Sequence, residues 1–282
     1  MNINKLIAAC RKPELYTPGS CSLTDNDHIL KQTLYNQLNP DTDYSSRKAD
    51  TIRKTFDWIM SRSEISRGSM LDIGCGPGLY TELFAGEGFK SVGIDISGPA
   101  IKYAGEQAEA KNLDIDYQRI DYRHIAIKGK FDLVIMIYNM FCSLLPDERK
   151  NLLGSVSGLL KPDGVFVFDV INDKNMEDKV PPPAWHAAEK SYWSPDPHLY
   201  LRSSFLYEKE KVILVRHLVS GPDESINSFN FWVHHFSHAD LDNILMEAGF
   251  RPVCYSEEVI PENNFWDGSN ITFAVAKKED AV

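Results

Sequence analysis

From residue 69 onward, short apolar runs alternate with longer stretches in which apolar positions recur every three or four residues. Runs at 69–73, 91–96, 115–118, 131–138 and 164–170 predict strands. The stretches at 79–88, 99–111 and 146–160 predict helices, the last with Pro146 early in its first turn, where a missing N–H is tolerated. FDLVIMIY, at 131–138, is apolar on both faces, as a strand covered on both sides should be. Strands joined by helices pair in parallel, so this region predicts a parallel sheet with helices on both faces.

The flanking regions follow other patterns. Residues 1–20 hold Pro13, Pro18 and Gly19 and few periodic apolar positions, and predict an irregular arm. Helices are predicted over 25–38 and 47–60, the second from the spacing of Ile52, Phe56 and Ile59; Asn39-Pro40-Asp41 ends the first. After residue 170 the alternation stops. Pro181-Pro182-Pro183 is a stiff extended piece, and strands at 199–207, 212–219 and 225–236 follow with no helix between them, predicting an antiparallel insertion. Ser237 caps a helix over 239–248 closed by Gly249, and strands at 252–257 and 271–276 follow. The expected organisation is one doubly wound α/β domain: an arm and helices over a cofactor site (1–60), a binding core (61–170), a β insertion acting as a substrate lid (171–236), and the end of the core sheet (237–282).

Composition narrows the partners. The 282 residues are 43% hydrophobic, enough for a full core. Forty acids against 30 Lys and Arg give a net charge of -10, which opposes binding to a nucleic-acid backbone. No apolar run approaches the length of a membrane span. The five cysteines form no CxxC pair, which fits reduced thiols in a cytoplasmic protein and no metal site. Ile7-Ala8-Ala9-Cys10 resembles a lipoprotein cleavage box, but the apolar stretch before it is too short for a signal peptide.

The chemistry concentrates after the first core strand, in Asp72-Ile73-Gly74-Cys75-Gly76-Pro77-Gly78. Glycines let a backbone approach a ligand closely, and the helix behind them offers N–H groups and a positive dipole end. The spacing is G-x-G-x-G; Leu79 stands where a dinucleotide fingerprint needs its third glycine, and no Gly-Lys-Ser/Thr follows to make a P-loop. Asp95 ends the second strand, 17 residues past Gly78, placed to accept both hydroxyls of a ribose. Asp121, after the third strand, can accept from an adenine amino group beside the ring of Tyr122. Asp72 reads either as a helix-cap acid or as a partner for an ammonium group. Cys75 needs only to be small.

Together these segments resemble class I S-adenosylmethionine-dependent methyltransferases: LDIGCGPG their first motif, VGIDIS the ribose-binding strand, IDYRHI the adenine segment, FDLVIMIY and LLKPDGVFVFDV their fourth and fifth strands. The resemblance covers residues 68–170 and the final helix and strands. It implies a Rossmann-like seven-stranded sheet with its last strand antiparallel, and S-adenosylmethionine as cofactor with S-adenosylhomocysteine as product. It places Asp72, Gly74, Cys75, Gly76, Gly78, Asp95, Ile96, Asp121, Tyr122 and Tyr138 at the cofactor. In related enzymes an N-terminal segment folds over the cofactor with an aromatic and a basic residue, for which Tyr16 and Arg47 are the candidates.

Tyr138-Asn139-Met140-Phe141 replaces the Asn/Asp-Pro-Pro-aromatic tetrapeptide of amino methyltransferases that act on nucleic acid, and no Pro-Cys dipeptide marks a cytosine C5 enzyme. The expected function is methyl transfer to a nitrogen or oxygen of a small molecule by a monomer or homodimer. A protein, peptide or RNA methyltransferase, or a non-catalytic nucleotide-binding module, is the alternative. Tyr138, His234 and His235 are candidates for a base. Tyr192, Trp193 and Trp232, from an insertion rich in aromatics, are candidates for the substrate pocket, or else core residues of the β layer.

Overall fold

Five apolar runs become five parallel strands: β1 (Ser69–Ile73), β2 (Lys90–Asp95), β3 (Ile115–Arg119), β4 (Phe131–Met136) and β5 (Leu160–Ile171). With β10 (Phe250–Ser256) and β11 (Ile271–Lys278) they form a seven-stranded sheet in the order β10-β11-β5-β4-β1-β2-β3. β11 pairs antiparallel with both β5 and β10, and is the one reversed strand. Leu71 lies opposite Val92 on one side and Val134 on the other, so the glycine loop after β1 leaves from the centre of the sheet. Pro252 is confined to the edge strand β10, where a register shift between Pro252 and Cys254 absorbs its missing donor.

The computed structural model describes residues 3–223, 225–261 and 268–279. The sheet belongs to a unit of residues 34–172 and 236–282. Its helices are α3 (Ala49–Ser63), α4 (Leu79–Gly86), α5 (Gly98–Ala110), α6 (Pro146–Leu159) and α7 (His238–Glu247). Ser97 caps α5, and Ser237 forms a capping box with Asp240 at α7. Phe56 of α3 meets Phe84 of α4 edge-on at 4.8 Å, and Trp58 meets Phe273 of β11 at 5.3 Å. Phe84, Phe166, Phe168, Phe250 and Phe273 are fully buried. Burying each such ring is worth about 2–3 kcal/mol.

The second unit comprises residues 1–33 and 173–235; the boundary falls within α2 (Asp27–Gln37), after Thr33. Its sheet runs β6 (Ala184–Ala188), β7 (His198–Tyr207), β8 (Val212–Ser220), β9 (Ile226–His234), all antiparallel. One more strand is present than the sequence predicts: β6 pairs through its backbone although its side chains are mostly exposed. Ile29, Tyr200, Val219 and Phe229 make a small core under Tyr192 and Trp193. The arm is more regular than expected, with α1 at Ile3–Ala9. It is tied to the sheet by Arg216 Nη1 donating to the Ala9 and Arg11 carbonyls, and by Asn230 Nδ2 and Trp232 Nε1 donating to that of Thr17. A Cβ at Gly19 would lie 2.4 Å from the Ser228 carbonyl, so only glycine lets the arm lie flush on β9. Among the described residues no helix is long and apolar enough to cross a membrane.

Candidate functional site

The loop leaving β1 is built by left-handed glycines: φ is 75° at Gly74, 53° at Gly76 and 85° at Gly78. Gly78 has a second constraint, since a Cβ there would sit 2.1 Å from the Tyr117 hydroxyl. The loop's amides are occupied within the protein. Gly74 and Cys75 both donate to the Ile94 carbonyl, at 2.8 and 3.0 Å, Gly78 to that of Cys75, and Gly76 to Asp95 Oδ2 at 2.9 Å. The amides of Gly74, Cys75, Gly76 and Gly78 are thus taken up within the protein, so the loop offers a close-approach surface and leaves none of these four for an anion.

Two carboxylates border this surface. Asp72 is 3% exposed and accepts the Thr81 hydroxyl at 2.6 Å and the Thr81 amide, so it caps the first turn of α4. Burial pushes its carboxyl up to about 7 against the pull of those bonds, with Asp95 adding a smaller push. Asp95 is also raised, chiefly by burial, although the amides of Ser97 (2.7 Å) and Gly76 hold its charged form. Each Asp95 oxygen keeps a further lone pair. Burial raises the Cys75 thiol as well, which removes it as a nucleophile at neutral pH.

Gln37, Ser45, Ser46, Tyr138 and Met140 complete a cleft with the loop, Asp72, Asp95, Leu79, Tyr80 and Ile137. The cleft is narrow, about 70 Å³. Gln37 and Met140 lean over it, the first 2.9 Å from where a Gly76 Cβ would stand and the second 2.7 Å from that of Gly74. Both are unbranched side chains that turn aside readily. No Lys or Arg appears among the described lining residues.

Tyr138 lies at the end of the central strand, but not as its continuation. β4 stops at Met136, and Tyr138 and Asn139 turn left-handed with φ of 80° and 55°. The Tyr138 hydroxyl donates to the Asp43 carbonyl and burial pushes it up to about 12, so it is no base at neutral pH. Arg47 is not solvated: it is 3% exposed and paired with Asp169.

The remaining candidates disperse. The Asp121 carboxylate forms a bidentate pair with Arg123, which lowers its pKa, and the Ile96 carbonyl accepts from Arg119. Tyr122 reaches Ser143 at 3.4 Å. None of the three lines the cleft. Tyr16 and His234 belong to the second unit, where they share a hydrogen bond of 3.0 Å. His235 is 2% exposed, its Nδ1 bonded to the Val233 carbonyl and its pKa lowered to about 4 by burial. Trp232 is an interior residue, held between Tyr16 and Tyr207. Trp193 stacks on His217 at 4.4 Å and lines a cavity of about 530 Å³ with Phe229, Asp196 and Asp223. The Tyr192 hydroxyl pairs with that of Thr33 at 2.9 Å. Sequence reasoning missed Gln37, Ser45, Ser46, Met140 and Asp169; only Asp169 carries a signal, a carboxylate inside an apolar run.

A reversed strand at that position, the glycine loop at the sheet centre and an acid closing β2 give a Rossmann-like fold. Residues 70–164 match the family model described as a methyltransferase domain. The chain is 31% identical over 115 residues to the cypemycin N-terminal methyltransferase of a Streptomyces species, covering 40% of this chain and 45% of that one. It is 32% identical over 124 residues to the ubiquinone biosynthesis O-methyltransferase of Actinobacillus pleuropneumoniae serotype 5b (strain L20), covering 42% and 52%. The chain thus matches about half the length of these relatives. An S-adenosylmethionine-dependent methyltransferase from Clostridium acetobutylicum ATCC 824 superposes with a TM-score of 0.64 at 15% identity, over 90% of this chain and 100% of that one.

Proposed function

We propose that this chain is an S-adenosylmethionine-dependent methyltransferase acting on a nitrogen or oxygen of a small molecule. The observation that carries this is the cleft's charge: two carboxylates, Asp72 buried and Asp95 half-buried, a close-approach glycine surface, and no lining cation among the described residues. A phosphate-bearing nucleotide would meet uncompensated repulsion there. A nucleoside with a sulfonium and an ammonium supplies the positive charge that burial leaves wanting. Asp95 has lone pairs for ribose hydroxyls, Asp72 faces the amino-acid end, and Gln37 and Met140 turn aside over the glycines. The cofactor, once bound, supplies a methyl group already activated by its sulfonium.

The protein's share is alignment and exclusion of water. Tyr138 and Met140 wall the cleft, and Tyr138, its proton held on the Asp43 carbonyl, orients rather than deprotonates. The two relatives divide between an N-terminal amine and an oxygen by name.

We assign choice of acceptor to residues 171–236. The chain leaves the core at the carboxyl end of β5, the edge at which open α/β sheets bind ligands. The family match ends before this segment.

Titration calorimetry with S-adenosylmethionine and S-adenosylhomocysteine tests the reading. Micromolar binding is expected, with no binding of dinucleotides; absence of binding by either cofactor form at millimolar concentration refutes it. Screening amines and phenols with methyl-labelled cofactor then identifies the acceptor.

A further inference from the structure

Asp169 stands near the carboxyl end of β5, amid apolar neighbours, and has no exposed surface. Its Oδ1 accepts the Asn139 amide at 2.8 Å, and the Tyr138 amide also bonds to this carboxylate. Its Oδ2 takes the Arg47 guanidinium. That guanidinium lies over the Tyr138 ring, 5.4 Å from its centroid. The Tyr138 hydroxyl donates to the Asp43 carbonyl, and the Asp43 carboxylate accepts the Lys48 amide at 3.0 Å. One ion pair therefore joins three pieces of chain: the segment 43–48, the turn after β4, and β5. Two of those pieces wall the cleft, through Ser45 and Ser46 on one side and Tyr138 and Met140 on the other. Both carry left-handed residues that are not glycine, with φ of 66° at Ser45, 80° at Tyr138 and 55° at Asn139. Such conformations persist only where the surroundings over-determine them.

We propose that Arg47 and Asp169 are a positioning pair that holds the Tyr138–Asn139 turn and the Ser45–Ser46 wall at the cleft, so that Arg47 acts through Asp169 and does not grip the carboxylate of the cofactor. The proposal rests on the cleft being the S-adenosylmethionine site. A cofactor carboxylate at the same guanidinium would set two acids on one cation in a region sealed from water, where the second acid lacks a counter-charge. Arg47 is then a residue of the scaffold, although its type and place in the sequence suit direct recognition.

Two ligands separate the roles. S-adenosylhomocysteine carries the amino-acid carboxylate; 5′-methylthioadenosine keeps the nucleoside and thioether and lacks that end. Both are titrated into the intact protein, into Arg47→Lys, and into the neutral pair Arg47→Met with Asp169→Asn, with circular dichroism and thermal unfolding as checks of folding. Arg47→Lys keeps a cation beside Asp169, so it serves if the neutral pair does not fold. Expected is a loss of about tenfold or more for both ligands alike, the scale set by releasing one or two strained residues. Adding Asn139→Gly to the neutral pair should recover part of that loss, because glycine holds the turn without help. A loss confined to S-adenosylhomocysteine makes Arg47 a direct ligand and overturns the proposal. Unchanged affinity for both ligands in either folded variant also overturns it. If the unaltered protein binds neither ligand, the reading of the cleft fails and the proposal falls with it.

Discussion

Asp72→Asn should make the protein more stable and a poorer binder of cofactor at the same time. The native state holds the Asp72 proton to about pH 7, against an ordinary value of 3.8 for the free side chain. The native state therefore binds this proton more tightly than the unfolded state does. Stability contributed by the protonated form is full below about pH 4, declines as pH rises toward 7, and is level above that. A shift of about three units corresponds to about 4 kcal/mol at pH 8 as an upper bound. Asparagine escapes that penalty at every pH. It also accepts the Thr81 hydroxyl and amide less strongly than a carboxylate does, which costs about 1–2 kcal/mol. The net gain is about 2 kcal/mol at pH 8, or roughly 4–8 °C in Tm for a domain of this size. At pH 4 the gain should disappear or reverse. Calorimetric melts at pH 4 and pH 8 measure the stability effect. Titration of S-adenosylmethionine should show affinity rising from pH 6 to pH 8 in the unaltered protein, with that slope gone and affinity at least tenfold lower in the variant. A Tm at pH 8 equal to or below that of the unaltered protein would refute the claim that Asp72 is held at an electrostatic cost.

Asp95→Ala should weaken cofactor affinity by roughly tenfold to a few hundredfold, equivalent to about 1.5–3 kcal/mol, while leaving the fold intact; calorimetric titration checks both parts. Gly78→Val should be the harsher of two loop substitutions, because its Cβ collides with Tyr117 whereas that of Gly76→Val meets only the end of Gln37. Expression and melting should separate them, Gly76→Val folding but failing to bind cofactor. Trp193→Ala should raise KM or lower kcat for the acceptor and leave cofactor affinity within about threefold, under roughly 0.7 kcal/mol. Trp232→Ala should act on stability instead, at about 3–5 kcal/mol, since it empties an interior site and removes the indole N–H that the Thr17 carbonyl accepts; equal melting of the two variants would deny that distinction.

What the sequence discloses follows the range of the forces involved. β1 is legible to the residue at Ser69–Ile73, because its apolar run, its flanking polar residues and its glycine stop are all local. The run 131–138 reads as strand to its end, yet the structure leaves the strand after Met136. The apolar character of Ile137 and Tyr138 reports burial, not conformation. The turn there is imposed by Asp169, 30 positions away along the chain, and by Arg47, 122 positions from Asp169. No periodicity records a partnership of that span. β6 was missed for a related reason: Ala184–Ala188 buries little, with Trp185 74% exposed, and it is a strand because β7 offers it a ladder. In the cleft, the glycines and Asp95 announce themselves by spacing. Gln37, Ser45, Ser46 and Met140 carry no such mark, since their residue types serve anywhere on a surface. The arm shows the converse error. Pro13, Pro18 and Gly19 dominate its composition, and they obscure the short helix that precedes them.

The reversed strand β11 has a consequence for biosynthesis. It is made last among the described strands, yet it is inserted between β10 and β5 rather than added at an edge. Seven register pairs, from Ile271 with Ile171 to Lys277 with Val165, wait about a hundred residues of translation for their partner. At roughly 5–20 residues per second, β5 spends some 5–20 seconds with an open, apolar hydrogen-bonding edge. Such an edge is a template for intermolecular pairing. Ribosome stalling within residues 171–270 should therefore yield aggregates seeded at 165–171, and a nascent chain captured there by a chaperone should present that same stretch.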